Sequence, residues 1–234
     1  MPGRIGRPRN VEQTTDLAPV EQILAEAGRL FTQQGYQATT TREIAEAVGL
    51  RQGSLYHYFQ RKEDILAELL ERIIGRAVEL AAWIDAQDAS AAAKVWTLGF
   101  LDVANYLFDA LRIGVLVRLP EVQQPRFRDF WSKAHELQQS YETMLAQGRD
   151  EGTFTFDDLG VTGLLLFGIA DGPAYWYDPA LHDRLEVARL TARSILLTVL
   201  VDPTDLPGIV TEGLELARRA PTRSRAALEP GDPA

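Results

Sequence analysis

The chain has 234 residues, no cysteine and a formal net charge of −9, which excludes disulfides, thiolate metal sites and cysteine nucleophiles. A hydrophobic content of 46% is enough for a packed core and excludes global disorder. Residues 1–77 are neutral overall and the whole acidic excess lies in residues 78–234, so only the N-terminal part is suited to approach a polyanion.

The first residues are basic but lack the apolar run of a secretory signal. The longest apolar stretches, such as residues 161–170, are shorter than the roughly 20 residues that a membrane helix needs. We therefore expect a cytoplasmic protein without a membrane partner.

In chain order, an arm rich in Arg, Pro and Gly occupies residues 1–16 and is predicted to be flexible. From Val20 to Phe31, apolar residues recur at the spacing of one helix face, with Pro19 suited to the first turn and Gly35 to the end. Further helices are predicted at about residues 62–84, 91–111, 125–148, 159–176, 185–201 and 207–219. The pattern predicts an all-α fold, with residues 153–156 as the only strand candidate and residues 221–234 as a disordered tail.

Between the first two long helices, the sequence predicts two short helices joined by a tight turn. Thr40 and Glu43 have the spacing of a capping box, which satisfies exposed amides at a helix start. Gly49 is suited to the left-handed conformation that ends such a helix, and a second helix is predicted over about residues 52–59. This arrangement is typical of a helix-turn-helix, whose second helix enters the major groove of DNA.

The second short helix has two distinct faces. At about 100° per residue, Leu55 and Phe59 point to the same side, and Gly53 and His57 lie roughly opposite them. Glycine costs a helix about 1 kcal/mol relative to alanine, and an outward glycine gains no packing within the protein. Close approach to a bulky partner such as a DNA duplex explains its presence.

A set of residues at fixed spacings runs through this region: Ile23-Leu24-Ala25-Glu26-Ala27, Phe31, Gly35-Tyr36, Thr39-Thr40-Thr41, Ile44-Ala45, Val48-Gly49-Leu50, Gly53-Ser54-Leu55-Tyr56-His57-Tyr58-Phe59 and Lys62-Glu63-Asp64-Ile65-Leu66. The set resembles the N-terminal domain of TetR-family transcriptional regulators. The resemblance implies a three-helix DNA-binding domain over residues 17–77 and a larger helical domain for ligand binding and dimerisation over residues 78–220.

The resemblance also implies which side chains contact DNA. Tyr56 and His57 are placed at phosphates or bases, Thr41 and Arg42 beside the groove, and Lys62 at a phosphate. The full predicted set is Thr40, Thr41, Arg42, Arg51, Gln52, Gly53, Ser54, Tyr56, His57, Tyr58 and Lys62.

Some of these residues also fit roles that do not involve DNA. Tyr56 and Tyr58 would then pack between helices, while Lys62 and Arg51 would be solvated charges. The arm at residues 4–9 either enters the minor groove or is a tail with incidental charge.

Two positions depart from the family pattern. Arg51 and Arg61 stand where the family often has a small capping residue. Arginine cannot accept an amide hydrogen bond, so both helix starts are expected to be weaker. Arg51 is instead available for an additional DNA contact.

The second domain is rich in aromatic residues at helical spacing, and an apolar cavity between helices is the usual form of a small-molecule site. The family implies such a site here. The predicted lining is Trp96, Phe100, Tyr106, Trp131, Phe167, Asp171 and Trp176. The alternative for each aromatic is ordinary core, and Asn105, Arg118 and Asp171 are polar handles only if they are buried.

Residues 164–176 and 195–201 are too apolar all round for surface helices with one buried face. The resemblance implies a homodimer held by a four-helix interface of these last two long helices, and hence a pseudo-palindromic operator of double-stranded DNA. Pro173 is expected to kink the first of them. Residues 170–179 are similar to a subgroup that senses acyl-CoA-like molecules.

The sequence thus predicts a repressor whose operator affinity changes on binding a small hydrophobic effector. An enzyme is not expected, because the three histidines are scattered and neither a phosphate loop nor a nucleophile elbow is present. No cofactor and no metal are expected either. The alternatives are an activator of the same family and a helical adaptor that has lost DNA binding.

Overall fold

The computed structural model describes residues 18–108, 113–222 and 228. The predicted arm lies outside these residues, as does most of the predicted tail. The helices are α1 (Pro19–Gln33), α2 (Thr41–Ala47), α3 (Gln52–Leu55), α4 (Lys62–Asp85), α5 (Ala91–Phe108), α6 (Arg128–Asp150), α7 (Leu159–Asp171), α8 (Pro173–Trp176), α9 (Arg184–Val199) and α10 (Leu206–Arg219). The predicted all-α fold is confirmed.

The chain divides into two compact units, one ending at Leu69 and the other beginning at Leu70. The division falls within α4, as does the predicted boundary between residues 77 and 78. None of the helices in the described ranges combines the length and the apolarity that crossing a bilayer requires.

In the first unit, α2 packs against both α1 and α3. The apolar face of α1 that the sequence predicts is buried, including Ile23, Ala27 and Phe31. The ring of Phe31 meets that of Tyr36 edge-on, with 5.0 Å between centroids. Burial of this one face selects the helical arrangement of the unit.

The second unit is built around α5, whose residues 91–101 are all buried. Helices α6, α7, α8, α9 and α10 contact it. Trp96 is fully buried and stacks on Phe100, with 4.8 Å between ring centroids. The first turn of α5 is held by α10, because the Glu212 carboxylate accepts hydrogen bonds from the amide (2.8 Å) and the hydroxyl (2.7 Å) of Ser90.

Several element boundaries differ from the sequence prediction for local reasons. The helix predicted over residues 159–176 divides into α7 and α8 at Pro173, as the missing amide and the ring of proline require. Residues 125–127 form a 3₁₀ turn before α6 instead of its first turn. The strand candidate is a single bridge between Phe154 and Leu200.

Close packing of α10 on α5 predicts a specific sensitivity to substitution at Gly213. A Cβ at this position would lie 2.4 Å from an atom of the Trp96 ring, so Gly213→Ala is expected to lower the free energy of unfolding by about 1–3 kcal/mol. Urea denaturation at a fixed protein concentration measures this effect.

Gly208→Ala is the matched control, because Gly208 lies in the same helix and a Cβ there would meet nothing within 4 Å. Its free energy of unfolding should stay level or rise by up to about 1 kcal/mol. Equal values for the two variants would contradict the packing argument.

Candidate nucleic-acid interface

The first unit contains the predicted capping box at the start of α2. The amide of Glu43 donates to the Thr40 hydroxyl (3.2 Å), and the Glu43 carboxylate accepts from the Thr40 amide (2.8 Å) and hydroxyl (2.7 Å). These hydrogen bonds from Thr40 lower the pKa of Glu43. The Thr40 side chain is thereby committed to the helix start.

Gly49 makes the turn between α2 and α3 with a φ of 66°. The amide of Leu50 donates to the carbonyl of Ala45 (2.8 Å), and that of Gly49 donates to Glu46 (3.1 Å). This is the pair of bonds that closes a helix with a left-handed residue. The turn therefore fixes the direction in which α3 leaves α2.

Regular α-helix in α3 ends at Leu55, so the prediction of a helix through Phe59 was too long. The next turn closes partly with bonds over three residues, from His57 to Ser54 (3.2 Å) and from Tyr58 to Leu55 (2.9 Å). Such bonds are typical of helix ends. The helix start is also weak, because Arg51 provides no side-chain cap, as expected for arginine.

The outer face of this segment is open to solvent. Gly53 and His57 are exposed, and a Cβ at Gly53 would meet nothing within 4 Å. Tyr56 and Tyr58 each expose 45% of their surface, so the packed alternative does not describe them. Leu55 is fully buried beneath this face.

A small polar cluster joins α2 to α3 on the same surface. The Gln52 amide lies 3.2 Å from the Thr41 hydroxyl and 3.3 Å from the Tyr56 hydroxyl, which are 3.4 Å from each other. Exposed hydroxyl and amide groups at these distances can also bond phosphate oxygens or base edges. Nearby, the exposed Arg42 is paired with Glu46 at 2.8 Å.

Two other predicted contact residues differ in their exposure to solvent. Arg51 is exposed, and Ser54 is half-buried.

Arg61 also lacks a capping side chain, but its amide donates to the Asp64 carboxylate at 2.8 Å. Half of a capping box is therefore present at the start of α4.

Lys62 is placed differently from its predicted contact with a phosphate. Its ammonium donates to the carbonyls of Tyr36 (2.6 Å) and Thr39 (2.7 Å) and lies 4.3 Å from the centre of the Tyr36 ring. This geometry gives Lys62 a role in holding the loop before α2. A phosphate contact stays a prediction that these distances do not favour.

In the second unit, the predicted pocket residues do not all lie together. Trp96 and Phe100 belong to the core under α10, whereas Trp131 and Trp176 are exposed and Phe167 is half-buried. The indole of Trp131 donates to the carbonyl of Val122 at 2.8 Å.

Tyr106 and Asp171 form part of one polar cluster in this unit. The hydroxyl of Tyr106 donates to the carbonyl of Ala170 (2.5 Å), and that of Tyr175 donates to Asp171 (3.0 Å). Burial, followed by the charges of Asp102 and Asp171, raises the pKa of Tyr106.

Two residues whose charges also raise the pKa of Tyr106, Asp102 and Tyr141, were not among the predicted site residues. The sequence signal for Asp102 is a lone acid after a long apolar run, but periodicity alone does not tell whether it faces the interior. Within the described residues, no group of three or more acidic or histidine side chains is arranged to hold a metal ion.

Comparisons with known proteins agree with this architecture. Residues 23–69 match the family model for bacterial regulatory proteins of the tetR family. A transcriptional repressor from Rhodococcus jostii (strain RHA1), KstR2, is 29% identical over 192 residues, which cover 78% of this chain and 91% of that protein.

Solved structures extend the similarity to both units. Mycobacterium smegmatis AmtR has a TM-score of 0.71 and 28% identity, and the match covers 89% of this chain and 99% of that one. KstR2 of Mycobacterium tuberculosis, with a TM-score of 0.66 and 22% identity over 79% of this chain and 96% of that one, shares the fold. The chain therefore contains a DNA-binding domain of the tetR type over residues 23–69 and is similar over most of its length to transcriptional regulators of that family.

Proposed function

We propose that the protein is a homodimeric repressor that binds a pseudo-palindromic operator through α3 and releases it in response to a small hydrophobic effector. The observation that carries the proposal is the open face of α3, where Gly53 leaves free space and Tyr56, His57 and Tyr58 point outward. The name of a relative supports the direction of regulation, because KstR2 of Rhodococcus jostii is named as a repressor.

The proposed DNA contacts follow from this surface. Gln52, Tyr56 and His57 supply amide, hydroxyl and imidazole groups for base edges or phosphates, and Thr41 and Arg42 flank them from α2. Gly53 lets the backbone of α3 approach the groove. Lys62 contributes indirectly by fixing the loop before α2.

The first prediction from the proposed function concerns Gly53→Gln. The open space around Gly53 should accept the side chain, and glutamine favours a helix over glycine by about 0.5–1 kcal/mol, so the melting temperature should not fall. Operator affinity should fall at least ~10-fold, because the new side chain separates α3 from the groove. Fluorescence anisotropy with a duplex that the protein selects from a random-sequence pool measures the affinity.

Gly208→Gln is the control, since Gly208 also has nothing within 4 Å of a Cβ but lies in α10. It should leave DNA affinity unchanged. Unchanged affinity in both variants would show that α3 is not the DNA-reading element.

The second prediction separates the two roles of Lys62. Lys62→Met removes the ammonium that donates to the carbonyls of Tyr36 and Thr39 and should lower the free energy of unfolding by about 1–3 kcal/mol. The slope of log affinity against log salt should stay constant, because the ammonium is not neutralising a phosphate.

Arg61→Met, at the adjacent exposed position, is the matched control for unfolding and should leave the free energy of unfolding nearly unchanged. A Lys62→Met slope that decreases by about 0.9 per subunit would instead assign a phosphate to Lys62.

Apolar residues left open to solvent on α7 and α9 support the proposed dimer. Val161, Leu164, Leu165 and Gly168 follow one face of α7 at helical spacing and are exposed. Leu190 and Leu197 are exposed seven residues apart on α9. A two-fold contact between these helices would bury the patch.

The third prediction tests this contact with Leu164→Glu combined with Leu197→Glu. Carboxylates buried in an apolar interface should weaken dimerisation by about 3 kcal/mol or more, or ~100-fold. Sedimentation velocity at micromolar concentration should then show monomers. Leu181→Glu is the control, since Leu181 is 76% exposed outside both helices. A variant that remains fully dimeric would refute this interface.

Effector control is proposed to work through a shift between two dimer states. The effector binds the second unit better in the state with lower operator affinity, and its effect is limited by the ratio of its affinities for the two states. An acyl-CoA-like molecule is the narrower candidate that residues 170–179 suggest. An activator would raise transcription where a repressor lowers it. Measuring transcription from the selected operator with and without the protein distinguishes the two.

A further inference from the structure

A carboxylate interrupts the apolar interior of the second unit. Asp102 directly follows residues 91–101 of α5, all of which are buried. Desolvation raises its pKa to about 7, and the charge of Asp171 contributes to the same shift. The carboxylate has no hydrogen bond or ion pair to any residue that the structure describes. The residue is nevertheless half-buried and keeps some accessible surface.

A second polar group close to Asp102 also lacks a partner. Tyr141 of α6 is fully buried, and its hydroxyl makes no hydrogen bond within the described part of the chain. Burial and then the charge of Asp102 raise the pKa of Tyr141. Asp102 lies one helical turn before Tyr106 on α5, and the Tyr106 hydroxyl bonds the carbonyl of Ala170, next to Asp171. Buried polar groups are nearly always bonded, so the unbonded Tyr141 hydroxyl and Asp102 carboxylate are both available to a ligand.

The outer edge of the cluster already holds a cation from the chain itself. The guanidinium of Arg118 lies 3.6 Å from the Asp171 carboxylate and 4.6 Å from the centre of the Tyr175 ring. Its side chain is largely exposed, so it neutralises the cluster weakly. A carboxylate beside an aromatic ring is a favourable environment for positive charge.

We propose that Asp102, Tyr141 and Asp171 form the polar end of the effector site and bind the ammonium group of an organic amine. An ammonium has three donors, which the two carboxylates and the tyrosine hydroxyl can accept. The inference rests on the proposed function, because it names the class of effector that the second unit recognises. The site should therefore bind a cationic amine more tightly than an acyl-CoA-like molecule, whose phosphates carry negative charge.

Two other charged groups near α5, within the described residues, have contacts of their own. From α9, the guanidinium of Arg184 lies over the ring of Phe108 at 4.5 Å. From α10, Glu212 bonds Ser90 at the opposite end of α5. Among the described residues, the titratable groups coupled to Asp102 by charge are Asp171, Tyr141 and Tyr106, and Asp171 in turn accepts from Tyr175 and pairs with Arg118.

The site predicts a pH dependence of known sign. An ammonium binds the ionised carboxylate, so binding must remove the proton that Asp102 carries below its raised pKa. Affinity for an amine that stays protonated should therefore rise by about tenfold between pH 6 and pH 8. A ligand that accepts a hydrogen bond from the protonated carboxyl would show the reverse.

The test uses the full-length protein and three probes with the same eight-carbon chain: octylammonium, octanoate and octanoyl-coenzyme A. Isothermal titration calorimetry at pH 8 should give octylammonium an affinity at least ~10-fold above that of octanoate. Asp102→Asn should remove this preference and the pH dependence, and Tyr141→Phe should weaken octylammonium alone. Asp88→Asn, an acid outside the cluster, should retain both properties.

Failure of this inference can be told apart from failure of the proposed function. Operator binding is measured in parallel by anisotropy, and Asp102→Asn should still bind the operator. No binding of octylammonium, or equal or tighter binding of octanoate or octanoyl-coenzyme A, overturns the inference even when operator binding is intact. Absence of operator binding by the wild-type protein overturns the proposed function, whatever the calorimetry gives.

Discussion

The contact between Lys62 and the loop before α2 is the interaction on which the geometry of the first unit depends. One ammonium group from the first residue of α4 satisfies the carbonyls of Tyr36 and Thr39. Thr39 is itself buried and immediately precedes Thr40, the residue that caps α2. The start of α2 is thus fixed to the start of α4, and Gly49 then sets the direction of α3. The open face around Gly53 follows from these constraints.

Features encoded by neighbouring residues could be predicted from the sequence. The Thr40–Glu43 capping box, the left-handed Gly49 and the break at Pro173 all follow from the local chemistry of the backbone. The buried face of α1 follows from its periodicity. The early end of α3 did not, because the hydrophobic pattern through Phe59 continues while the hydrogen bonding changes.

Features that depend on contacts between distant residues were not predictable in this way. A lysine at the start of a helix beside a DNA-binding segment suggests a phosphate contact, and only the fold brings the carbonyl of Tyr36, 26 residues away, to 2.6 Å from its ammonium. Likewise, Asp102 and Tyr141 lie on different helices. The aromatic residues predicted to line one pocket divide between core and surface because spacing along a helix does not specify what covers each face.

Each unit contains residues that folding alone would not favour. In the first unit, a glycine lies in a short helix without packing need and aromatic rings are exposed; in the second, a carboxylate remains desolvated in an apolar helix. Such conflicts between local composition and stability are expected at functional sites. Asp102 lies on α5, whose first turn is held by α10 through Glu212. Asp171 is the last residue of α7, just before the break at Pro173, and the exposed apolar face proposed for dimerisation lies on that same helix. A cation shared by the two carboxylates would draw the end of α7 toward a helix that is already fixed. Effector binding and dimer geometry would then be coupled through a single helix, and this coupling requires no movement of the α5 core.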